Sequence, residues 1–176
     1  DWIYNGRITI DKNPQIAAIR THVKALAFPQ LKKDSSVMRP TLADYVLLFV
    51  APGENETPII PDIDNETWIQ WAHACWYGIR ETDTLSTAGT KSHEDDKHLC
   101  PLQLEVIERC IRMWSNPGEL ICSMFGGIGS EGYQAIKLGR RAIICELKPL
   151  YARTAARNLR QAETESTKQL ALVVED

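Results

Sequence analysis

The sequence predicts an α/β fold organised around one strand–turn–helix–strand unit in residues 119–151. Two short apolar runs, residues 120–122 and 142–145, have the composition of strands buried on both faces of a parallel sheet. A glycine-rich segment, residues 125–130, and a stretch with helical periodicity lie between them. This order predicts half of a mononucleotide-binding unit, in which the glycine turn faces the ligand and the helix N-terminus presents free N–H groups.

The elements of this unit follow one another from a turn signal, Asn-Pro-Gly at residues 116–118. The helix is predicted over about residues 131–138, with Gly139 as its C′ stop. The second strand ends at Glu146, at the distance from the glycine turn where a carboxylate can bind ribose hydroxyls. We expect the two strands to be parallel neighbours joined by a right-handed crossover. The alternative is a glycine-rich turn followed by an unrelated surface glutamate.

A helix over residues 102–114 is predicted to precede this unit. Its Val106, Cys110 and Met113 have helical spacing, and we expect that side to pack on the sheet. Residues after Glu163 are predicted to form a fraying tail.

The first half of the chain has weaker periodicity. Tryptophans 68, 71 and 76 lie in a stretch with helical spacing, residues 67–77. Such a cluster can stack on an extruded base, but the interpretation as core is favoured. The other predicted elements are extended segments at 2–4 and 7–10, a short helix within 15–27, a strand at 45–50 and an exposed loop at 81–97.

Composition bounds the class of protein. The 176 residues suffice for one domain with a sizeable core, or one domain with a loose appendage. The chain has no apolar run long enough for a transmembrane helix, and its first residues are not those of a signal peptide. The five cysteines include no Cys-x-x-Cys pair and no clustered zinc ligands, so we expect reduced, mostly buried thiols in a cytoplasmic protein.

Charge is distributed unevenly along the chain. The net charge is −3, which by itself gives no case for nucleic-acid binding. Residues 1–50 are locally basic, whereas residues 51–66 are acidic. A basic face in the first segment could contact phosphates, and the alternative is an ordinary solvated surface. The candidate DNA-binding residues are Arg7, Lys24, Lys32, Lys33 and Arg39.

Residues 98–159 carry a second, denser set of motifs. The run HLCPLQLEVIERCI keeps four positions of the pattern His-Pro-x-x-Lys-Pro-Leu-x-Leu-x-x-Arg-x-Ile. The next pattern is Ser-x-Pro-Gly-Asp, a strand, then Asp-Pro-Phe-x-Gly-x-Gly-Thr. The positions that match these two patterns are His98, Leu104, Arg109, Ile111, Ser115, Pro117, Gly118, Phe125, Gly127, Gly129 and Ser130. Farther along the chain, Leu138-Gly139-Arg140-Arg141, Glu146 and Tyr151 also fit. In these motifs the chain resembles the cofactor half of the DNA amino-methyltransferases, which methylate the exocyclic amine of adenine or cytosine.

Several positions depart from the family pattern. Ser123-Met124 stands where the family has Asp-Pro, and a neutral Ser123 gives the methionine ammonium of the cofactor no charged partner. Leu102-Gln103 replaces Lys-Pro. In these positions the sequence resembles the motifs of phage or prophage members of the family.

The resemblance implies a Rossmann-like S-adenosylmethionine-dependent methyltransferase fold. Such a fold has a mostly parallel twisted sheet with helices on both faces, here expected to be incomplete at the N-terminus. The implied cofactor is S-adenosylmethionine and the implied partner is double-stranded DNA, in a restriction–modification context, with no membrane or metal partner and no assigned oligomeric state. The implied cofactor-binding residues are Phe125, Gly127, Gly129, Ser130, Glu146, Ser123 and His98.

The family's catalytic loop, Asp/Asn/Ser-Pro-Pro-aromatic, has no counterpart in the sequence, which contains no Pro-Pro pair. We therefore assign no catalytic residue, and we expect the C-terminal part of a longer enzyme or a truncated gene product. The predicted division is a partial catalytic half (1–52), a connection with a possible target-recognition loop (53–97), a cofactor-binding half (98–165) and a tail (166–176).

Three classes of function follow. The first is a DNA methyltransferase, and the second is a degenerate or truncated domain that binds cofactor or DNA without catalysis. The third, a nicotinamide-dependent enzyme, is disfavoured because the glycine pattern is Phe-x-Gly-x-Gly and not Gly-x-Gly-x-x-Gly.

Overall fold

The computed structural model describes residues 1–21, 33–37, 42–87 and 100–174. The chain divides into two compact units. The first unit comprises residues 1–54 and 69–79, and the second comprises residues 55–68 and 80–176. Each is described by itself below.

The first unit contains a three-stranded sheet of order β2-β1-β3. Its strands are β1 (Ile3–Ile10), β2 (Asp44–Val50) and β3 (Cys75–Trp76), which confirms the strands predicted near residues 2–10 and 45–50. Strand β1 is antiparallel to β2 and parallel to β3, and a register shift lies between Tyr4 and Gly6.

The two faces of this sheet differ in exposure. Ile8 and Ile10 are buried on one face, as period-2 alternation in a half-buried strand requires. The opposite face is half exposed and largely aromatic. Tyr4 packs edge-on against Phe49, and the Arg7 guanidinium lies 5.0 Å from the centre of the Tyr45 ring, in cation–π geometry.

Two short helices have side-chain caps. Helix α1 (Pro14–Thr21) begins with proline at its first position, and the Asn13 Oδ1 accepts the Gln15 amide at 2.9 Å. Residues 22–27, the rest of the segment within which the helix is predicted, lie outside the described part. Helix α2 (Asn65–Trp71) is capped by Asp64, whose Oδ1 accepts the Thr67 amide at 2.7 Å.

The prediction of one tryptophan core is only partly right. Trp76 is 1 % exposed, and its Nε1 donates to the Trp71 carbonyl at 2.8 Å. Trp68, however, is 48 % exposed. The helix ends at Trp71 and the chain continues into β3, so helical spacing does not extend to Trp76.

The second unit contains the predicted nucleotide-binding elements. Strands β4 (Leu120–Ser123) and β5 (Arg141–Ile144) pair in parallel, Leu120 opposite Arg141, which confirms them as parallel neighbours. Helix α3 (Leu104–Trp114) precedes β4, and α4 (Ser130–Lys137) connects the two strands. Gly139 follows α4 with φ +73°, as expected of a C′ glycine.

The side of α3 that packs on this unit differs from the prediction. Ile107 and Ile111, with Ala135 of α4, form the buried cluster, and Leu104, Ile121, Leu138 and Ala142 pack around it. Val106 is also buried, at 1 % exposed, but Cys110 and Met113 are only partly buried. Ile107 and Ile111 are at i and i+4, and Ile121 of β4 and Ala142 of β5 pack against the cluster that they form with Ala135.

Helix α5 (Pro149–Val174) extends past the expected tail, so residues 166–174 continue the helix. Lys, Gln, Leu and Ala in this segment are good helix formers, which favours continuation of the helix. The Glu165 carboxylate links α5 to α4, since it accepts bonds from Tyr133 Oη at 2.9 Å and Lys137 Nζ at 3.0 Å. Hydrogen bonds from Gln161, Lys137 and Tyr133 lower the pKa of Glu165 to about 2.

The buried guanidinium of Arg140 lies at the N-terminal ends of β4 and β5 and links the segments around them by hydrogen bonds. The Arg140 side chain is fully buried and donates two hydrogen bonds to the Asp62 carboxylate, at 2.8 and 3.1 Å. Its remaining donors reach the Leu138 carbonyl at 2.7 Å, the Ser115 carbonyl at 2.7 Å and the Ser115 Oγ at 3.2 Å. All five guanidinium N–H groups are therefore satisfied.

The first prediction is that Arg140→Ala lowers the free energy of unfolding by about 3 kcal/mol, because Asp62 and two buried Ser115 oxygens lose their donor. Arg140→Lys should recover only part of the lost free energy of unfolding, since an ammonium has three donors and lacks the planar arrangement of the guanidinium. Urea unfolding is the measurement. The matched control is Arg153→Ala, an exposed position on α5, expected within about 0.5 kcal/mol of wild type. Equal losses of unfolding free energy for Arg140→Ala and Arg153→Ala would contradict the stabilising role assigned to Arg140.

The Arg140–Asp62 pair also makes stability depend on pH. The hydrogen bonds from Arg140 hold the pKa of Asp62 below its usual value. The resulting stability is present above the unfolded pKa of about 3.9 and is lost as the pH falls through the lower, folded pKa. Wild type should therefore lose stability below about pH 4 more steeply than Asp62→Asn.

Candidate cofactor site

The candidate site lies at the carboxyl ends of β4 and β5. Ser123 ends β4 and the glycine turn follows, whereas Glu146 comes two residues after the end of β5. Parallel neighbours end at the same edge of a sheet, so these segments converge there.

Gly126 anchors the glycine turn to β5. Its amide donates to the Cys145 carbonyl at 2.9 Å, and its carbonyl accepts the Gly129 amide at 2.7 Å. A Cβ at this position would lie 1.9 Å from the Ile144 Cγ2, so only glycine fits. Sequence analysis did not single out Gly126, because the matched motif leaves its position variable.

Gly127 and Glu146, both named from the sequence as cofactor-binding residues, lie next to each other. The Gly127 amide donates to Glu146 Oε2 at 2.7 Å, and the Lys148 amide donates to Oε1 at 2.8 Å. Gly127 has φ +53°, and a Cβ there would meet nothing within 4 Å. The carboxylate is therefore fixed beside an open stretch of backbone.

Gly129 and Ser130 lie deeper in the structure. Gly129 is the N-cap of α4, with φ +84°, and a Cβ there would lie 2.9 Å from Leu159 Cδ1. Ser130 is 3 % exposed. Both residues face the protein interior, where α5 supports the turn, and their side-chain positions do not form the open surface.

Three large apolar side chains surround the turn and are exposed. Phe125 is 93 % exposed, Leu147 is 98 % exposed and Met124 is 65 % exposed. Sequence analysis singled out only Phe125. The signal for Leu147 was an apolar residue directly after the strand-terminal Glu146, where a surface loop usually has a polar one.

The polar and ionisable side chains of this unit differ in burial and in charge. Burial raises the pKa of Glu131 in the first turn of α4. Outside the site segments, burial of Cys110 on α3 raises the pKa of its thiol to about 12, which keeps it protonated. Ser123, which stands at the acidic position of the family pattern, is neutral and partly exposed.

Four residues named from the sequence lie outside the described part: His98, Lys24, Lys32 and Arg39. Of the other basic candidates, Arg7 stacks on Tyr45 and Lys33 is exposed.

The cysteines are less buried than expected. Cys100, Cys122 and Cys145 are exposed, Cys75 and Cys110 are intermediate, and all five are free. Within the ranges that the structure describes, no group of His, Cys, Asp and Glu could hold a metal ion. None of the helices in those ranges has the length and apolarity needed to cross a membrane.

Comparison with known proteins identifies the family. The family described as DNA methylase matches residues 12–157 of this chain. The chain belongs to this DNA methylase family. The glycine turn and Glu146 fall inside the matched range, so the resemblance to DNA amino-methyltransferases is confirmed.

Individual relatives agree with this assignment. The type II methyltransferase M1.MboII of Moraxella bovis is 39% identical over 66 residues, which are 38% of this chain and 25% of that protein. The putative DNA modification methylase TTHA0409 of Thermus thermophilus, in complex with S-adenosyl-L-methionine, is 22% identical with a TM-score of 0.62. That alignment covers 92% of this chain and 55% of the neighbour.

A second solved structure that is similar is the cytosine-N4-specific PvuII DNA methyltransferase, which is 18% identical with a TM-score of 0.57. That alignment covers 89% of this chain and 51% of the neighbour. These neighbours confirm the predicted Rossmann-like methyltransferase fold. This DNA methylase chain spans a quarter of the curated relative and little more than half of the solved neighbours.

The second prediction concerns Gly126. Gly126→Ala should destabilise the protein by about 3 kcal/mol, because its Cβ would overlap the Ile144 side chain. Gly127→Ala is the matched control, since it adds the same methyl in open space and costs only about 1–2 kcal/mol of backbone strain. Denaturant unfolding measures both.

A double-mutant cycle isolates the overlap. In an Ile144→Ala background, which removes Cγ2, Gly126→Ala should cost at least about 1 kcal/mol less than in wild type. Additive effects would show that the Gly126–Ile144 contact is not the cause.

Proposed function

We propose that the chain carries the cofactor-binding part of an S-adenosylmethionine-dependent DNA methyltransferase, which methylates an exocyclic amino group of adenine or cytosine. The observation that carries the proposal is the fixed Glu146 carboxylate beside the open Gly127 backbone. Membership of the DNA methylase family supports it.

The geometry of Glu146 fits a ribose. A carboxylate has about four lone-pair positions, and backbone amides of Gly127 and Lys148 occupy one on each oxygen. The other positions can accept the two ribose hydroxyls as charge-assisted hydrogen bonds. Because both oxygens are already held by amides, little side-chain freedom is lost on binding.

The surrounding residues suit the remaining parts of S-adenosylmethionine. The exposed Phe125 and Leu147 offer apolar surface on which a flat adenine ring can lie. We assign Ser123, Gly127, Gly129 and Ser130 to the methionine end. Gly129 and Ser130 contribute backbone groups there, since their side-chain positions are turned inward. His98 is included on family resemblance.

Methyl transfer needs little acid–base help from the protein. The bound cofactor supplies an electrophilic methyl group on a sulfonium. In the resembled family, the part of the protein would be to hold a desolvated amine towards that methyl group, and positioning of this kind can supply about 7–11 kcal/mol in favourable cases. The Pro-Pro-aromatic loop that holds the amine in the resembled family has no equivalent in these 176 residues.

The partner is double-stranded DNA. We assign its phosphates to Arg7, Lys24, Lys32, Lys33 and Arg39, on the basic composition of residues 1–50. Contacts of this kind release counterions, so binding should weaken steeply as salt rises.

We place the protein in the cytoplasm, in a restriction–modification context, with a phage or prophage origin. The division at residues 52, 97 and 165 is part of the same proposal.

A second candidate is a domain that binds cofactor or DNA without catalysis. The neutral Ser123 favours it, because the cofactor ammonium then lacks a charged partner on this strand.

The third prediction is that the 176-residue polypeptide binds S-adenosylmethionine and that Glu146→Ala weakens binding at least tenfold. Two charge-assisted hydrogen bonds are lost, and each contributes about 1.5–3 kcal/mol at best. Isothermal titration calorimetry is the measurement. The control is Glu163→Ala, which removes an exposed carboxylate from α5 and should leave the affinity unchanged.

Two results would contradict this assignment. Unchanged affinity for Glu146→Ala would remove Glu146 from the ribose site. Tighter binding of NAD than of S-adenosylmethionine would favour a nicotinamide-dependent enzyme.

The fourth prediction is that this polypeptide by itself transfers no methyl group to DNA, because it contains no Pro-Pro-aromatic sequence to hold the amine. Transfer of tritiated methyl to unmethylated phage DNA is the assay, with Gly127→Asp as the cofactor-site control. Transfer above that control would show the prediction to be wrong and would exclude the non-catalytic candidate.

A further inference from the structure

The glycine turn is supported from behind by one face of α5. Ala155, Asn158 and Leu159 have i, i+3, i+4 spacing and therefore share that face. A Cβ at Gly129 would lie 3.0 Å from Ala155 Cβ and 2.9 Å from Leu159 Cδ1, so the backbone of the turn touches the helix.

Asn158 makes the polar contact on this face. The residue is 8 % exposed, and its Nδ2 donates to the Ile128 carbonyl at 2.8 Å. Ile128 is itself only 2 % exposed. The first hydrogen bond of α4 runs from the Tyr133 amide to the Gly129 carbonyl, so the Ile128 carbonyl precedes the helical ladder. It depends on a side chain for its partner.

We propose that Asn158 is a positioning residue for the cofactor-binding turn. It acts through the Ile128 carbonyl to fix Gly127 and Gly129, and thereby the Gly127 amide that orients Glu146. The inference rests on the proposed function in so far as the turn binds S-adenosylmethionine.

The composition of the turn explains why such a restraint is needed. Gly127 and Gly129 have φ values of +53° and +84°. Glycine prefers no single conformation, so partners must impose this one. Without Asn158, a buried carbonyl would lack its donor, and rotation of the neighbouring peptides would relieve that cost. Such rotation would move the Gly127 amide away from Glu146.

A purely structural role for Asn158 predicts a different pattern, and Thr154 provides the comparison. Thr154 is 6 % exposed on the same helix, and its Oγ1 donates to the Leu150 carbonyl at 3.0 Å, one turn earlier. Thr154→Val therefore removes a polar contact of the same helix, and the hydrogen bond that it removes does not involve the Ile128 carbonyl. A residue that only stabilises α5 should behave like Thr154.

The experiment compares Asn158→Ala, Thr154→Val and wild type under conditions where all three are folded. Asn158→Ala should weaken S-adenosylmethionine binding about tenfold by calorimetry. It should also speed amide hydrogen exchange at Gly127 and Gly129 about tenfold by NMR, because opening of the turn becomes easier. Thr154→Val should leave the affinity and the exchange rates within about twofold of wild type, even if it lowers the melting temperature as much as Asn158→Ala does. Should Asn158→Ala not fold, Asn158→Ser, with a hydroxyl too short to reach Ile128, replaces it.

The two readouts separate this inference from the proposed function. If wild type binds no S-adenosylmethionine, the proposed function is wrong, and the exchange rates still decide whether Asn158 fixes the turn. Unchanged exchange at Gly127 and Gly129 in the Asn158 variant would overturn the inference. So would equal effects of the Asn158 and Thr154 substitutions on both readouts.

Discussion

The buried guanidinium of Arg140 is the constraint on which the second unit depends. A charge without solvent is tolerated only when it is paired and all its donors are bonded, and Arg140 meets both conditions through Asp62, Ser115 and Leu138. These partners come from the segment before α2, the end of α3 and the end of α4. One side chain therefore joins distant parts of the chain at the N-terminal edge of β4 and β5, and leaves the opposite edge available for the site.

The two ends of the sheet formed by β4 and β5 differ in their capacity to bind a ligand. At the N-terminal end, all five N–H donors of the buried Arg140 guanidinium are bonded within the protein, so this cation has no donor left for a ligand. At the carboxyl end, the glycine turn exposes backbone at Gly127, and Glu146 keeps part of its hydrogen-bonding capacity. The division follows the general rule that parallel sheets bind ligands beyond the carboxyl ends of their strands.

Much of this arrangement could be predicted from the sequence, because local patterns determine it. Apolar runs, the glycine turn and the helical periodicity indicate the two strands, their parallel pairing and the connecting helix, whereas the hydrogen bond from Gly127 to Glu146 is seen only in the structure. Gly126 and Asn158 escaped prediction since their roles come from contacts with Ile144 and Ile128, and no periodicity signals such contacts. The side of α3 was misassigned because two apolar stripes compete on it, and the choice depends on the surface it meets.

The aromatic face of the first unit has a consequence for work in solution. Tyr4, Tyr45, Leu47 and Phe49 are each at least half exposed, with one cation, Arg7, beside them. Contacts between phosphates and basic residues weaken as salt rises, whereas association through apolar surface strengthens in sulfate or phosphate buffers. Any association through this apolar face and the proposed binding of DNA phosphates should thus respond in opposite directions to the same salt.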